Sequence, residues 1–459
     1  MTPTHTNHRQ APTWYHRLRR RVALPLVLAL TAMVCTARAA IPIEHWVHGS
    51  GARVYLVASP TIPMLDVQID VDGGSRRDPA AQAGLASATA SLLSAGVLAQ
   101  GDMPALDENR LSEAWVDLGA QFGASVGSDR FSLSLRTLTR EDLMSGAVRL
   151  AARQMAAPAW PESVWQRDRE RLVASLREAD TRPATHAGRA FARAVYRGHP
   201  YGQEATAETL AAIGVADMQR FWRQHVVACR AQVSLVGAID RATADRIVSE
   251  LMAPLQVHGC ADLPAVSEVQ PLAQAVEERL PFDAAQAQVL VGQPGYRRND
   301  PDFFALLVGN HILGGGGFVS RLTNEVREQR GLSYSVYSYF APGLHAGAFQ
   351  LGLTTRPDQA DLALSVAREV VARFVADGPT EAELQAAKDN LVNGFGLRLD
   401  SNRKLLDNVA NIAWNGLPLD YLEHWTDRVQ AVTAQDILRA FQRVLQPGRM
   451  VTVVVGAKP

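Results

Sequence analysis

Apolar and polar residues alternate in short runs along much of this chain. Residues 131–137 read Phe-Ser-Leu-Ser-Leu-Arg-Thr, a period of two that predicts a strand with one buried face. A helical period follows, with Leu143, Ala147, Leu150 and Ala151 on one side. Pro158 and Pro161 end it, and Val164, Leu172 and Leu176 mark the next helix. The same succession recurs later. Residues 349–355 alternate again, Leu362, Val366, Val370 and Phe374 step by four, and Gly378-Pro379 stops that helix. Thr380-Glu-Ala-Glu383 then predicts a capping box, in which threonine and glutamate satisfy free backbone donors at a helix start.

The recurrence keeps one register. Leu143 and Leu362 are 219 residues apart (362 − 143), and so are Gly237 and Gly456 (456 − 237). Asp217 and Trp222 answer Asp436 and Phe441 at the same offset, and residues 233–238 answer 452–457. A strand, a helix and a later strand in one register indicate two copies of one domain, and the period is far too long for a solenoid. The copies are placed at 40–257 and 275–459, joined by a linker at 258–274 that holds Gly259, Pro264 and Pro271. Strands and helices are interspersed irregularly, which favours an α+β fold over a doubly wound sheet.

The N-terminus reads differently. Arg17, Arg19, Arg20 and Arg21 precede an apolar run at 22–34 that is too short to span a bilayer comfortably, and Ala37-Arg38-Ala39 follows. This is the pattern of a cleaved signal peptide at 1–39, with Ala40 opening an exported chain that does not span the membrane. Cys35 is preceded by the bulky Val34, which disfavours lipidation there. Cys229 and Cys260 remain. A strand at 230–236 opened by Cys229, and a helix returning over 242–251, would bring both sulfurs to one end. A disulfide and two unpaired thiols both stay open.

Composition narrows the classes. Of 459 residues, 47% are hydrophobic, enough for sizeable cores. Lysine plus arginine equals aspartate plus glutamate at 46 each, so charge gives no reason to expect a nucleic-acid partner.

Several longer stretches carry a resemblance. His199-Pro-Tyr-Gly202, Ile213 to Asp217 and the strand ending at Val236-Gly237 are similar to the first domain of the M16 family of peptidases (pitrilysin, insulinase, mitochondrial processing peptidase). Leu313-Gly-Gly-Gly-Gly-Phe-Val-Ser-Arg-Leu322 and Val326-Arg-Glu-Gln-Arg-Gly-Leu-Ser-Tyr334 are similar to its second. The resemblance spans the mature chain. It implies two homologous α+β domains, each a mixed sheet packed against helices, in bilobed assemblies that enclose peptides. It also implies that export leads to a bacterial periplasm.

Active members of that family carry His-x-x-Glu-His after a Gly-Leu-Ala lead-in. Two imidazoles at i and i+4 bind zinc, and the glutamate is the general base for the attacking water. Here Gly84-Leu85-Ala86 is followed by Ser87 and Ser91 at the ligand positions and Ala90 at the base position. Alanine takes no proton and serine hydroxyls are poor zinc ligands. Glu170 and Glu178 lie near the family's third-ligand position without matching it, and read as solvated helix charges. His45 and His48 fall in a strand at a spacing that sends them to opposite faces. His199 belongs to a turn. His186, His225, His258, His311, His345 and His424 have no ligand-spaced partner and read as structural or exposed. The expectation is a chain that binds no zinc.

In two-chain members of the family, the zinc-free subunit supplies an arginine and a tyrosine, and the resemblance assigns these to Arg327 and Tyr334. A peptide lying as an added strand would offer its carbonyls to the guanidinium, and the phenol would meet the charge that grows on the scissile oxygen. The bland alternative packs Tyr334 on one strand face with Val336, Ser338 and Phe340, and leaves Arg327 as an exposed helix charge. Gly314, Gly315, Gly316 and Gly317 lack the lysine-serine or lysine-threonine pair of a nucleotide loop. The resemblance makes them a short substrate-recognition loop. A flexible hinge is the alternative. The expected partner is an M16 subunit with an intact His-x-x-Glu-His, which would hold the zinc, and the expected substrate is a peptide or small protein. The competing expectation is a peptide-binding or scaffold protein with no part in hydrolysis.

Overall fold

The computed structural model describes residues 41–255 and 260–457. The expected leader at 1–39 lies outside the described residues, as do His258 and Gly259 at the head of the linker. The first half forms a sheet from β1 (Glu44–Val47), β2 (Arg53–Ala58), β3 (Met64–Val71), β4 (Gln121–Val126), β5 (Phe131–Leu138) and β6 (Gln232–Gly237). The second half forms another from β7 (Val276–Leu280), β8 (Ala287–Pro294), β9 (Ser333–Phe340), β10 (Ala348–Thr355) and β11 (Val451–Val455). The first sheet is ordered β1-β2-β6-β3-β5-β4 and the second β9-β10-β8-β11-β7. Without β1 the two orders are the same read in opposite directions. In each sheet a single parallel pair, β2 with β6 or β7 with β11, sits among antiparallel ones. The fold is α+β with mixed sheets packed against helices.

The helices used below are, in the first half, α1 (Leu85–Ser91), α2 (Glu141–Ala156), α3 (Glu162–Ala179), α4 (Pro183–Tyr196), α5 (Val215–His225) and α6 (Arg241–Met252). In the second half they are α7 (Phe303–Asn310), α8 (Ala360–Asp377), α9 (Glu381–Asn393), α10 (Asn402–Asn415) and α11 (Ala434–Val444). Among the described residues no helix is long and apolar enough to cross a membrane. The predicted capping box is present on α9, where Thr380 and Glu383 exchange bonds with each other's backbone N–H.

Strand alternation places the cores. On β3, Leu65, Val67, Ile69 and Val71 join the first core, while Asp66, Gln68 and Asp70 point to the other face. That other face is where the halves meet. Helix α4 of the first half lies on β8, β11 and β7 of the second sheet, and α10 of the second half lies on β6, β3 and β2 of the first. The two helices begin 219 residues apart (402 − 183). Each copy therefore lends one helix to the other's sheet.

The two lent helices meet different chemistry. Ala187, Ala190, Phe191 and Val195 of α4 pack on Val451, Val453 and Val455 in an apolar core. The Phe191 ring lies over Gly292, where an added Cβ would come within 2.8 Å of it and 2.0 Å of the Phe349 carbonyl oxygen. Helix α10 instead covers the polar face of β3. There Asp66 receives Arg136 Nε at 2.8 Å, and Asp70 accepts from Ser132, Gln68 and Arg130. Burial pushes the Asp70 carboxyl above its ordinary range, against the pull of Arg130.

The segment after residue 260 runs as a strap along the seam, with Val269 and Leu272 buried. Its Glu268 accepts the Ala346 N–H and pairs with Arg297 and His345. His199 caps the turn Pro200–Gly202, and its Nε2 lies 2.9 Å from the Ser267 carbonyl. Its ring meets that of His345 at 5.1 Å, so these two histidines do share a neighbourhood that sequence spacing hid. Burial, and then His345, lower the pKa of His199. Asp129 ties the same seam by accepting from Arg76, Tyr201 and the Leu344 N–H.

Cys229 and Cys260 are joined by a disulfide with Cα atoms 5.8 Å apart. Cys229 sits in a 3-10 turn, Ala228–Arg230, so β6 starts at Gln232, two residues later than the pattern implied. Two other details differ. Leu172 on α3 and Leu362 on α8 are exposed. A strict four-residue step drifts by about 40° per turn, so Leu362 leaves the stripe that Ala363, Ala367, Val370 and Phe374 bury. His48 lies in the turn after β1, bonded to Ser50 and Ser249, and not on the strand with His45.

Candidate functional site

Helix α1 carries the family's motif positions. The Asp78 carboxylate caps its start, accepting from the Gly84 and Ala86 N–H groups at 2.9 Å each. Burial pushes Asp78 up to about 6 despite those bonds. Leu85, Ala86, Ala88, Thr89 and Ala90 face inward, and Ser87 and Ser91 share the exposed face. The Ser91 hydroxyl donates to the Ala88 carbonyl. Two hydroxyls and a buried methyl offer no imidazole, no carboxylate and no base, so this donor set does not fit zinc. Among the described residues no group of three or more His, Cys, Asp or Glu is arranged to hold a metal. Glu170 and Glu178 are exposed on α3, and Glu178 pairs with Arg182.

The second half presents a more elaborate surface. Strand β9 is the edge of its sheet. A cavity of about 710 Å³ runs beside it, lined by Tyr296, Phe303, Asn310, Tyr337 and three of the four glycines, Gly314, Gly315 and Gly317. The glycines are required by packing and by backbone geometry, which argues against a slack hinge. A Cβ on Gly314 would fall 2.4 Å from the Ser338 hydroxyl, and one on Gly315 would fall 2.7 Å from the Asn310 amide. Gly316 turns away against His311, and Gly317 adopts φ +62°. The helix end thus reaches the strand edge. The Ala341 N–H to Ala348 carbonyl bond sets the alternation on β9, so Ser338 shows its backbone groups to the open side. Asn310 fills that place, donating to the Ser338 carbonyl at 3.1 Å and accepting from its hydroxyl at 2.8 Å. The middle of the β9 edge is therefore taken by Asn310, between the two ends of the strand.

Tyr334 lies at one of these ends. The β9–β10 register slips between Ser333 and Ser335, a bulge that leaves Tyr334 opposite no residue. Tyr334 is 81% exposed, whereas Val336 and Ser338 are buried. It does not share their packed face, because the extra residue re-aims it. Arg327 closes the last turn of the helical segment Thr323–Glu328, and Gly331 at φ +61° reverses the chain toward β9. The Arg327 guanidinium carbon lies 4.7 Å from the Tyr334 ring centre and 4.8 Å from that of Phe318. Its Nε faces Glu328 at 3.3 Å. Arg327 and Tyr334 are thus in contact with each other, outside the cavity lining and close in sequence to its glycine wall.

Residues 212–391 match the Peptidase M16 inactive domain. An uncharacterized zinc protease of Streptomyces coelicolor is 29% identical over 269 residues, covering 56% of this chain and 57% of that protein. The non-peptidase homolog YmxG of Helicobacter pylori is 32% identical over 167 residues, covering 35% of this chain and 37% of that protein. A crystal structure of a peptidase M16 inactive domain from Pseudomonas fluorescens superposes with a TM-score of 0.85 at 29% identity, covering 91% of this chain and 98% of that one. Residues 212–391 are thus similar to the inactive domain of M16 peptidases, and the fold of the whole described chain is similar to that of such a protein. The match to the curated Streptomyces relative spans little more than half of either protein. The matched inactive domain takes in Arg327, Tyr334 and the glycine run, and leaves the Ser87–Ser91 helix outside.

Two side chains at this site drew no reading of their own from the sequence, Phe318, which stood only within the stretch 313–322, and Asn310. An aromatic between a glycine run and the arginine-tyrosine stretch was the one available signal for Phe318.

Proposed function

We propose that this chain is the zinc-less subunit of a heteromeric M16-type metallopeptidase, exported to the periplasm. It binds no zinc itself, holds an extended peptide, and presents Arg327 and Tyr334 to the active site of a partner with an intact His-x-x-Glu-His. The observation that carries the reading is Tyr334, thrown into solvent by a bulge and held against Arg327, in a chain whose motif positions are Ser87, Ala90 and Ser91. An exposed tyrosine on a guanidinium does little for folding and is suited to contact something outside the chain.

The chemistry follows from charge. When water adds to a peptide carbonyl, negative charge grows on its oxygen, and donors fixed in advance around that oxygen lower the barrier. The Tyr334 hydroxyl is such a donor, and the Arg327 guanidinium beside it adds positive charge while its fork holds the peptide. Zinc and base come from the partner. This chain binds, orients and donates. The names of its relatives, zinc proteases on one side and a non-peptidase homolog on the other, support a family in which competent and incompetent chains coexist. The basic run, apolar stretch and Ala37-Arg38-Ala39 support export, which N-terminal sequencing of the mature protein checks.

The test is affinity purification of the tagged full chain from its native cells, followed by mass spectrometry of what accompanies it. A stoichiometric M16 chain with His-x-x-Glu-His is expected. In the reconstituted pair, Arg327→Ala or Tyr334→Phe should each lower turnover by ~10²-fold with assembly intact. Full turnover in both variants, or recovery of the chain without such a partner, leaves a peptide-binding or scaffold protein instead.

A further inference from the structure

Phe318 is 72% exposed and is fixed in that position by the turn beneath it. Gly317 adopts φ +62°, and the fully buried Ser320 closes the turn by donating both its N–H and its hydroxyl to the Gly317 carbonyl. The backbone is therefore anchored while the ring is held out. It meets one group of its own chain that gives it a purpose, the Arg327 guanidinium, which Tyr334 contacts at nearly the same distance. A guanidinium drawn to ring faces keeps its N–H donors for acceptors in its own plane. Glu328 faces Nε, and among the described residues neither Nη group donates a hydrogen bond.

We infer that Phe318, Arg327 and Tyr334 together form a carboxylate-reading subsite, with Phe318 as the positioning residue that holds the guanidinium fork edge-on to a peptide's acidic group. The inference rests on the peptide-binding reading above and adds the chemistry the subsite selects. A carboxylate matches the fork because its two oxygens accept two parallel N–H bonds, whereas a single carbonyl or an amide offers one acceptor. The carboxylate is either the C-terminus of the bound peptide or an aspartate or glutamate side chain. Without the Phe318 ring, Arg327 keeps its charge and loses one of the two surfaces that fix its plane, so selectivity should fall further than general affinity.

The experiment uses the purified full chain and three fluorescein-labelled alanine-rich decapeptides, read by anisotropy. One has a free C-terminal carboxylate, one is C-terminally amidated, and one is amidated with a central aspartate. At least one carboxylate peptide should bind ten-fold or more tighter than the neutral amide, and which one does so identifies the source. Phe318→Ala and Phe318→Leu should lose that preference, Phe318→Tyr should keep it, and Arg327→Lys should lose it although its charge is retained. Thermal midpoints of the variants should match the parent, since the ring is exposed. Peptides that bind without regard to carboxylate, or a preference that survives Phe318→Ala, overturn the inference and leave the peptide-binding reading standing. No binding of any peptide overturns both.

Discussion

Replacing Cys229 and Cys260 by serine tests how much of the first half's stability comes from the covalent tie between β6 and the strap. The two cysteines are 31 residues apart. In the loop-closure treatment, a bond across that separation removes ~12 cal/mol/K of unfolded-state entropy, about 3.7 kcal/mol at 25 °C. Packing losses should add little. Gly51 approaches the Cys229 Cβ, which serine retains, and Cys260 is exposed. Because the halves interlock, the mature chain of over 400 residues unfolds together with an entropy of about 0.9 kcal/mol/K, so each kcal/mol moves the midpoint by roughly 1 °C and the double variant should melt roughly 4 °C lower. The assay is circular-dichroism melting of parent and variant, each with and without a thiol reductant that reaches the half-exposed sulfurs. Reductant should bring the parent down to the variant and leave the variant unmoved. A variant that melts within 2 °C of the oxidised parent, or one that reductant still shifts, refutes the reasoning.

Three further expectations concern single residues. Gly292→Ala should destabilise by about 3 kcal/mol or fail to accumulate as soluble protein, because its Cβ meets the paired Phe349 backbone, which cannot yield; a parent-like denaturation midpoint would contradict this. Asp78 has its folded pKa near 6, above the ordinary 3.8, so the folded state holds the proton more tightly and gains stability as pH falls through that window. The stability difference between parent and Asp78→Asn, followed by urea denaturation, should therefore move in the parent's favour by up to about 3 kcal/mol between pH 7 and pH 4, and a flat difference would count against it. Glu383 behaves oppositely. Burial raises it, but Arg321 and Thr380 pull it down to about 2, so its contribution is present above the ordinary 4.5 and lost as pH drops below. Allowing for its partial exposure, Glu383→Gln should cost about 1 to 2 kcal/mol at neutral pH and almost nothing near pH 2, as read from melting curves at both.

Much of the architecture was legible because it is repeated and because its strands bury one face. The alternation at 131–137 emerged as β5, and the 219-residue register emerged as two sheets of one topology. Helix boundaries at Pro158, Gly378 and Thr380 were legible from residues whose backbone chemistry permits little else. What stayed hidden depends on pairing partners. A bulge is a count of residues on two strands, so nothing local to Tyr334 distinguished an outward ring from a packed one. Helix α4 was not read from the sequence at all, and nothing local to Ala187, Phe191 and Val195 says that the surface they cover belongs to the other half. His199 and His345 are 146 residues apart (345 − 199) and meet only because the seam folds them together. The identities of Ser87, Ala90 and Ser91 at the motif positions are a matter of sequence alone, and the structure adds that Ser87 and Ser91 share the exposed face of one short helix. The ring of Phe318 was not legible, because an apolar residue after glycines reads equally well as core.

The reciprocal loan of α4 and α10 constrains how this molecule can be divided and how it could have arisen. Severed at the strap, the first copy would leave the apolar stripe of α4 in water and the polar face of β3 without its cover, and the second copy would suffer the converse. Neither fragment is a self-sufficient module, although each owns a complete sheet. A lone ancestor of one copy length would have needed a second molecule of itself, related by a two-fold axis, to trade helices with. Fusion of two such genes turns that dimer contact into an internal one and frees the copies to diverge. The apolar bed under Phe191 and the charged bed under α10 are the record of that freedom in this chain.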